Sequence, residues 1–271
     1  MIRDLLKGIL PAIVIMFCVF TWAQAQELKV IKLAEPTKKG GLSAMEAFSK
    51  RASVRSWADK DLSSQDLSDL LWAANGINRP ESKMRTAPSA GNAQEVNIYV
   101  FMKEDVFVYD AANHALNPVA SGDHRSEIGM SMGGGPPPGA QAESPAAAPS
   151  GGQAGTPSGG RPTSGQTGTP PGGQAIGTPS GGGHGSSAPI ILVHVADFSK
   201  YGFGSDEQHS QWAAIDVGIV SQNVAIACAA KGMVTRPMVN INKDALKTLL
   251  KLKDTQQIIL RQPVGYPPET K

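Results

Sequence analysis

Ile190-Ile191-Leu192-Val193-His194-Val195-Ala196 constrains this chain more than any other stretch. A run with no charged residue and no alternation cannot present one face to water, so it predicts a central strand buried on both faces. The rest of the chain must supply the neighbours and the cover. Val96–Phe101 and Val106–Tyr109, turned at Lys103-Glu104-Asp105, read as a strand pair, and Val234–Val239 and Gln257–Leu260 as two further strands. Ser205–Lys231 reads as a long helix stopped by Gly232. Its Trp212, Ile215, Ile219, Val220, Val224, Ala227 and Cys228 make a broad apolar stripe, and Gly218 with its nearby alanines permits close packing. That much apolar surface places the helix under the sheet or in a dimer seam. Helices and hairpins are mixed instead of strictly alternating, which predicts an α+β class.

Several stretches fall outside this scheme. Residues 1–25 carry a charged start (Arg3, Lys7), an apolar run and Ala23-Gln24-Ala25, the pattern of a cleavable signal peptide. The run is shorter than the roughly 20 residues that span a bilayer, so an uncleaved anchor is the weaker alternative. The expected location is periplasmic or secreted, without stable membrane insertion after cleavage. Residues 26–41 form a polar lead-in, expected to be loosely attached. Residues 133–187 are rich in Gly, Pro, Ser and Thr with repeats of Gly-Thr-Pro, and such a tract cannot bury enough surface to offset its ordering entropy. It predicts a disordered insert interrupting one domain over 42–268. A formal net charge of +2 with no basic block argues against nucleic acid as partner. After signal removal Cys228 alone remains, as a small buried hydrophobe. His194 reads as a satisfied core residue, and His114 and His124 as surface residues.

The chemistry concentrates in two stretches. Ser43-Ala44-Met45-Glu46 is a capping box that opens a short helix. Val54, Ser56 and Trp57 are poor helix formers, so the helix should end near Lys50 or Arg51 and the chain run on extended. In an extended stretch Arg51, Ser53 and Arg55 point the same way and suit a phosphate monoester, with charge-assisted bonds worth roughly 1.5–3 kcal/mol each. The same residues equally describe a solvated basic helix end. A second capping signal at Ser63-Ser64-Gln65-Asp66 opens a helix carrying Leu67, Leu70, Leu71 and Ala74 and closed at Asn75-Gly76. After it, Pro88-Ser89-Ala90-Gly91-Asn92-Ala93-Gln94 is a small-residue loop that lets backbone approach a ligand, or an ordinary Pro-Gly loop. No nucleophile elbow, Walker loop, paired histidines or dinucleotide fingerprint accompanies them. No residue is assigned a catalytic or metal-binding role. A grip without an acid, base or metal is the pattern of a protein whose cofactor carries the chemistry.

Taken together, Arg51–Arg55, Pro88–Gln94, the Asp216-x-Gly218 helix ending at Gly232, and Pro263-Val264-Gly265-Tyr266-Pro267 resemble the nitroreductase family in order and spacing. The resemblance covers Ser43 to Pro267 apart from the insert. It implies a mostly antiparallel sheet flanked by helices, a homodimer with active sites at the subunit interface, and one FMN per site. It implies that Arg51, Ser53 and Arg55 hold the FMN phosphate and ring edge, and that Pro88, Ser89, Ala90 and Asn92 reach the flavin of the partner subunit. Val239 and Asn240 would place backbone N–H near flavin N5. The implied activity is ping-pong hydride transfer from NAD(P)H through FMN to a nitroaromatic, quinone or similar acceptor. Export favours a second enzyme reading, a flavin dehydrogenase or oxidase like the azoline-oxidising relatives, with a donor other than NAD(P)H. A non-enzymatic exported binding protein that uses the insert is the third. The chain departs from the family pattern at Ala52, where a second Arg or His is common, and at Asn240, where Gly is common. It also lacks the family's C-terminal basic extension, for which Lys271 and Arg85 are candidate substitutes.

Overall fold

A computed structural model describes residues 28–129 and 188–269. The signal-peptide reading of 1–25 and the insert reading of 133–187 fall outside these residues.

The apolar run becomes β7 (Ile190–Asp197), and every one of its residues is buried. On one side it pairs with β4 (Val96–Phe101), and on the other with β9 (Gln256–Gly265). β5 (Asp105–Asp110), β6 (Ala115–Ser121), β1 (Ile31–Lys32) and β8 (Val234–Thr235) complete an open antiparallel sheet in the order β1-β6-β5-β4-β7-β9-β8. Because side chains alternate along β4 and β7, the sheet has two apolar faces. Ile98, Val100, Ile190 and Leu192 pack toward α2 (Ser64–Asn75) and α3 (Asp206–Ala230). Tyr99, Phe101, Ile191, Val193 and Val195 pack toward Ile128, Ile241 and Leu246, the last on α4 (Lys243–Leu249). Helices therefore cover both faces, as the uncharged run requires.

Phe101 has no solvent exposure and lies in the second of these layers. Phe101→Ala is expected to cost about 3–5 kcal/mol through lost transfer energy and a residual cavity. Urea unfolding measures it directly, and a change under 1 kcal/mol would remove Phe101 from the core.

Several elements differ from their sequence expectations, each for a local reason. The lead-in is anchored: Ile31 and Lys32 pair with Leu116 and Ala115, Leu33 is buried, and its N–H donates to the His114 carbonyl at 3.1 Å. Asn113–Pro118 turns at His114 and enters β6. Pro118 is tolerated there because the β5–β6 register shifts between Val106 and Phe107, opposite it. β8 stops at Thr235, two residues before Pro237, which has no N–H for a ladder. β9 instead continues past Leu260 to Gly265, including Pro263. The helix expected near Asp123 is a single 3₁₀ turn, Arg125–Glu127. Ile77–Arg79 (β2) and Met84–Arg85 (β3) form a small hairpin that the sequence reading leaves as loop.

The end of β9 is tied back to α2. Tyr266 donates its hydroxyl to Asp66 Oδ2 at 2.5 Å and accepts from the Ser63 N–H at 3.2 Å. Lys231, just past α3, pairs with Asp66 at 3.1 Å and with Asp69. Thus the Pro263–Pro267 motif, the cap of α2 and the end of α3 share one polar knot.

His114 is not a free surface residue. Ser68 donates its hydroxyl to the Ala34 carbonyl at 2.6 Å, so it must accept from His114 Nε2–H at 2.8 Å. Nδ1 is then the acceptor for the Tyr109 hydroxyl at 2.9 Å, and burial lowers the imidazole pKa. The Ser68 hydroxyl is therefore committed to a carbonyl and is no nucleophile.

Candidate functional site

The capping box forms as expected. Ser43 Oγ accepts from the Glu46 N–H at 3.3 Å and Glu46 Oε2 accepts from the Ser43 N–H at 2.8 Å, opening α1 (Ala44–Lys50). Arg51 ends it, with φ −58° and ψ 121°, and donates its N–H to the Ala47 carbonyl. From there the chain is extended. Ser53 bridges Thr235 in parallel, and the Val54 N–H donates to the Thr235 carbonyl at 3.2 Å. Arg51, Ser53 and Arg55 are all exposed here, and Ser53 lies against Thr235 at the edge of the sheet beyond β8.

The Thr235 side follows through a second interrupted pairing. Met238 exchanges both backbone hydrogen bonds with Arg261 of β9, at 2.8 and 2.9 Å. Val239, next in the chain, is 76% exposed. Asn240 turns its side-chain oxygen inward to accept from Arg261 Nη2 at 3.0 Å. Among the described residues the backbone N–H groups of Val239 and Asn240 donate to no protein acceptor. Four and five residues of chain span at most about 14 Å and about 18 Å, so the Val239 and Asn240 N–H groups lie within those reaches of Thr235.

The arginines divide into two kinds. Arg79 donates to the Arg85 carbonyl at 2.9 Å, Arg85 to Gln94 Oε1 at 3.0 Å, and Arg125 to Asp123 Oδ2 at 2.6 Å. The guanidinium groups of Arg51, Arg55 and Arg236 make no hydrogen bond or ion pair among the described residues. Arg236 lies beside Arg261, whose pKa is lowered by burial and then by the Arg236 charge. Cations gathered at one edge without a counter-charge favour an anionic ligand. Arg236, adjacent to Thr235, is the residue that sequence reasoning misses; its only signal is its place just after a strand and before Pro237. Arg85, the suggested substitute phosphate ligand, is held instead at Gln94, and Lys271 lies outside the described residues.

The Pro88–Gln94 loop is placed elsewhere. The Ala90 N–H donates to Asp216 Oδ2 at 2.8 Å, the Gln94 N–H to Ser89 Oγ at 2.9 Å, and Gln94 Nε2 to Asn92 Oδ1 at 3.2 Å. These bonds leave the Ser89 O–H, the Asn92 amide N–H₂ and the Pro88 carbonyl free to meet a ligand. Gly91 has φ +58°, and a Cβ there would stand 2.5 Å from Phe203 Cε1, so this position requires glycine. Asp216 lies mid-way along α3, whereas β8 begins just past its end. About 21 Å of helix, at 1.5 Å per residue, separates Asp216 from Ala230. Within one protomer Ser53 thus meets Thr235, a few residues before Val239 and Asn240, while the Pro88–Gln94 loop is tied to Asp216 of α3.

The buried stripe of α3 is Ala213, Asp216, Val217, Val220, Val224, Ala225 and Cys228. This helix is long and apolar enough by composition to cross a membrane, but that stripe packs in the core beside α2 and the sheet. Its other face exposes Ala214, Ile215, Gly218 and Gln222, and α1, which packs on α3, exposes Met45 and Phe48.

Residues 48–266 match the Nitroreductase family. The fold is similar to a crystal structure of a candidate nitroreductase from Ralstonia eutropha JMP134, with TM-score 0.67 and 23% identity over 92% of this chain and 94% of that one. A candidate nitroreductase from Anabaena variabilis ATCC 29413 gives TM-score 0.58 and 12% identity over 89% of this chain and 42% of that one. The E. coli microcin synthetase McbBCD complex gives TM-score 0.53 and 17% identity over 94% and 87%. No curated protein matches the chain. At these identities the structures speak for the fold, while the match over 48–266 runs from the clasp through the C-terminal Pro-Val-Gly-Tyr motif. The chain belongs to the nitroreductase family, whose members are oxidoreductases that generally bind flavin.

Proposed function

We propose that this protein is an FMN-dependent oxidoreductase that works as a homodimer with composite sites. The observation that carries the reading is the set of free donors along one sheet edge. Among the described residues Arg51, Arg55 and Arg236 have no partner, Ser53 stands among them, and two N–H groups at Val239 and Asn240 are unused. A phosphate monoester joined to a ring with hydrogen-bond acceptors satisfies both halves of that set. Arg51, Ser53, Arg55 and Arg236 would hold the phosphate. Val239 and Asn240 would direct N–H groups to the ring edge, with Asn240 fixed from behind by Arg261. Bound FMN would supply hydride exchange at N5, chemistry for which the described side chains offer no substitute.

The distant loop fits the same reading only in a dimer. Among the described residues Pro88, Ser89 and Asn92 keep polar groups without a partner on a loop tied to Asp216, and in this reading a second copy brings them to the clasp. The exposed apolar residues Met45, Phe48 and Ile215, flanking Gly218 on α3, are the surface along which two copies would meet. NAD(P)H is the expected donor and a small nitroaromatic or quinone the expected acceptor. A different donor is the second arm of the same test if the chain is exported.

The purified protein, incubated with FMN and desalted, should retain a flavin absorbance spectrum at about one FMN per chain. Reduction by NADH or NADPH in a stopped-flow instrument then identifies the donor. A folded protein that retains no flavin would overturn the proposal.

A further inference from the structure

Glu95 is left unexplained by any of this. It ends the Pro88–Gln94 loop, has no solvent exposure, and neither carboxylate oxygen meets a hydrogen-bond donor. What faces it is a like charge. Asp216 reaches it from α3, and the buried Tyr201 hydroxyl faces it from the segment before α3. Arg85 on β3 is the cation that feels its charge, but Arg85 donates to Gln94 and forms no ion pair with Glu95. His209 stacks on Tyr201 at 4.7 Å. Asp197 donates its N–H to the Glu95 carbonyl, while its own carboxylate accepts from Ser199 and Thr255.

Two carboxyl groups side by side in a dry pocket cannot both ionise. Asp216 Oδ2 already accepts the Ala90 N–H that ties the loop to α3, whereas the Glu95 oxygens accept from no donor. The proton then belongs on Glu95. We propose that Glu95 and Asp216 form a proton-controlled latch: with a proton on Glu95 the loop stays docked on α3, and loss of that proton drives two like charges apart and releases the loop. Glu95 touches no ligand in this reading. It is a positioning residue for Pro88–Asn92.

The titration range agrees with this geometry. Burial, and then the Asp216 charge, raise the Glu95 carboxyl to about 7. The released loop exposes a glutamate of ordinary acidity, near about 4.3. Docking is therefore fully favoured below about pH 4.5, weakens as pH rises toward about 7, and is constant above that, where both states are ionised.

Hydrogen exchange of the purified protein, corrected for intrinsic rates, reads this without flavin or activity. Protection of the 88–94 amides relative to α3 should fall by up to about tenfold per pH unit between about pH 5 and about pH 7, then level off. Glu95→Gln, neutral and of the same shape, should keep the loop protected with a flat profile. Should that variant fail to fold, infrared titration of the wild-type protein still reports a carboxylic C=O band that disappears near about pH 7. A wild-type profile without this slope, a Glu95→Gln profile that keeps it, or no such band would overturn the proposal.

Discussion

Replacing Arg51 and Arg55 together by alanine is expected to raise the FMN dissociation constant by about 10²–10⁴-fold, since two charge-assisted hydrogen bonds are worth about 3–6 kcal/mol. Both side chains are exposed and donate to nothing among the described residues, so their removal leaves no buried group there unsatisfied. Thermal stability without flavin should therefore change by less than about 0.5 kcal/mol. That separation of binding from stability is the signature of a ligand clasp. Arg79→Ala provides the contrast, because Arg79 is committed to the Arg85 carbonyl on the β2–β3 hairpin and should leave FMN affinity unchanged. The measurement is flavin fluorescence titration at two salt concentrations, since exposed cations lose grip as ionic strength rises. If the double variant binds FMN within about threefold of wild type, the phosphate is held elsewhere.

Substituting Gly218 should have opposite effects on one copy and on two. Within the chain, no heavy atom lies within 4 Å of a Cβ added there, so Gly218→Leu meets open space. Glycine in a helix interior is about 0.8–1 kcal/mol less favourable than alanine, and leucine is close to alanine, so the isolated protomer gains stability. Should α3 lie in the seam between two copies, the same leucines hold the backbones apart. Overpacking of about 1–3 kcal/mol in each copy, about 2–6 kcal/mol in all, would weaken the dimer by about 30- to 10⁴-fold. Sedimentation velocity over a concentration series, beside urea unfolding of the monomer, reads both effects. Flavin retention should fall with the dimer if the loop and the clasp come from different copies. A wild-type protein that is monomeric at high concentration yet holds FMN would refute the composite site.

What the sequence makes legible is whatever local chemistry decides. The uncharged run at Ile190–Ala196 leaves only a buried strand. Ser43 with Glu46, and Ser63 with the Asp66 N–H, can close only as caps, and the β-branched and aromatic residues after Arg51 end α1 where it does end. Gly91 is required by a ring that the sequence places more than a hundred residues away, so the loop is visible in advance but not its reason. What long-range pairing decides is not legible. Ile31–Lys32 is a strand because β6 needs a neighbour, and Pro118 is accepted in a strand because of a register shift opposite it. Arg236 joins the clasp through a single parallel bridge between Ser53 and Thr235, residues 182 apart in sequence. The residue types there suggest a phosphate from the start; that five donors along the edge lack partners among the described residues is a fact of three dimensions.

The position of β9 also bears on how the protein is made. β9 follows every other strand in sequence, yet it lies between β7 and β8 and bonds to both. A chain emerging amino end first can form the β4–β5 hairpin at once and add β7 later, but β8 has no sheet to join until β9 has entered. Such non-local closure is slow, because loop entropy must be overcome before the contacts reward it. During synthesis the clasp edge is therefore the last part of the sheet to assemble, and ribosome-bound chains ending before Gln256 should present Arg51, Ser53 and Arg55 without Thr235 beside them. Limited proteolysis of such stalled chains should cut near residues 51–55 and spare the β4–β5 hairpin; protection of both would mean that the edge forms without β9.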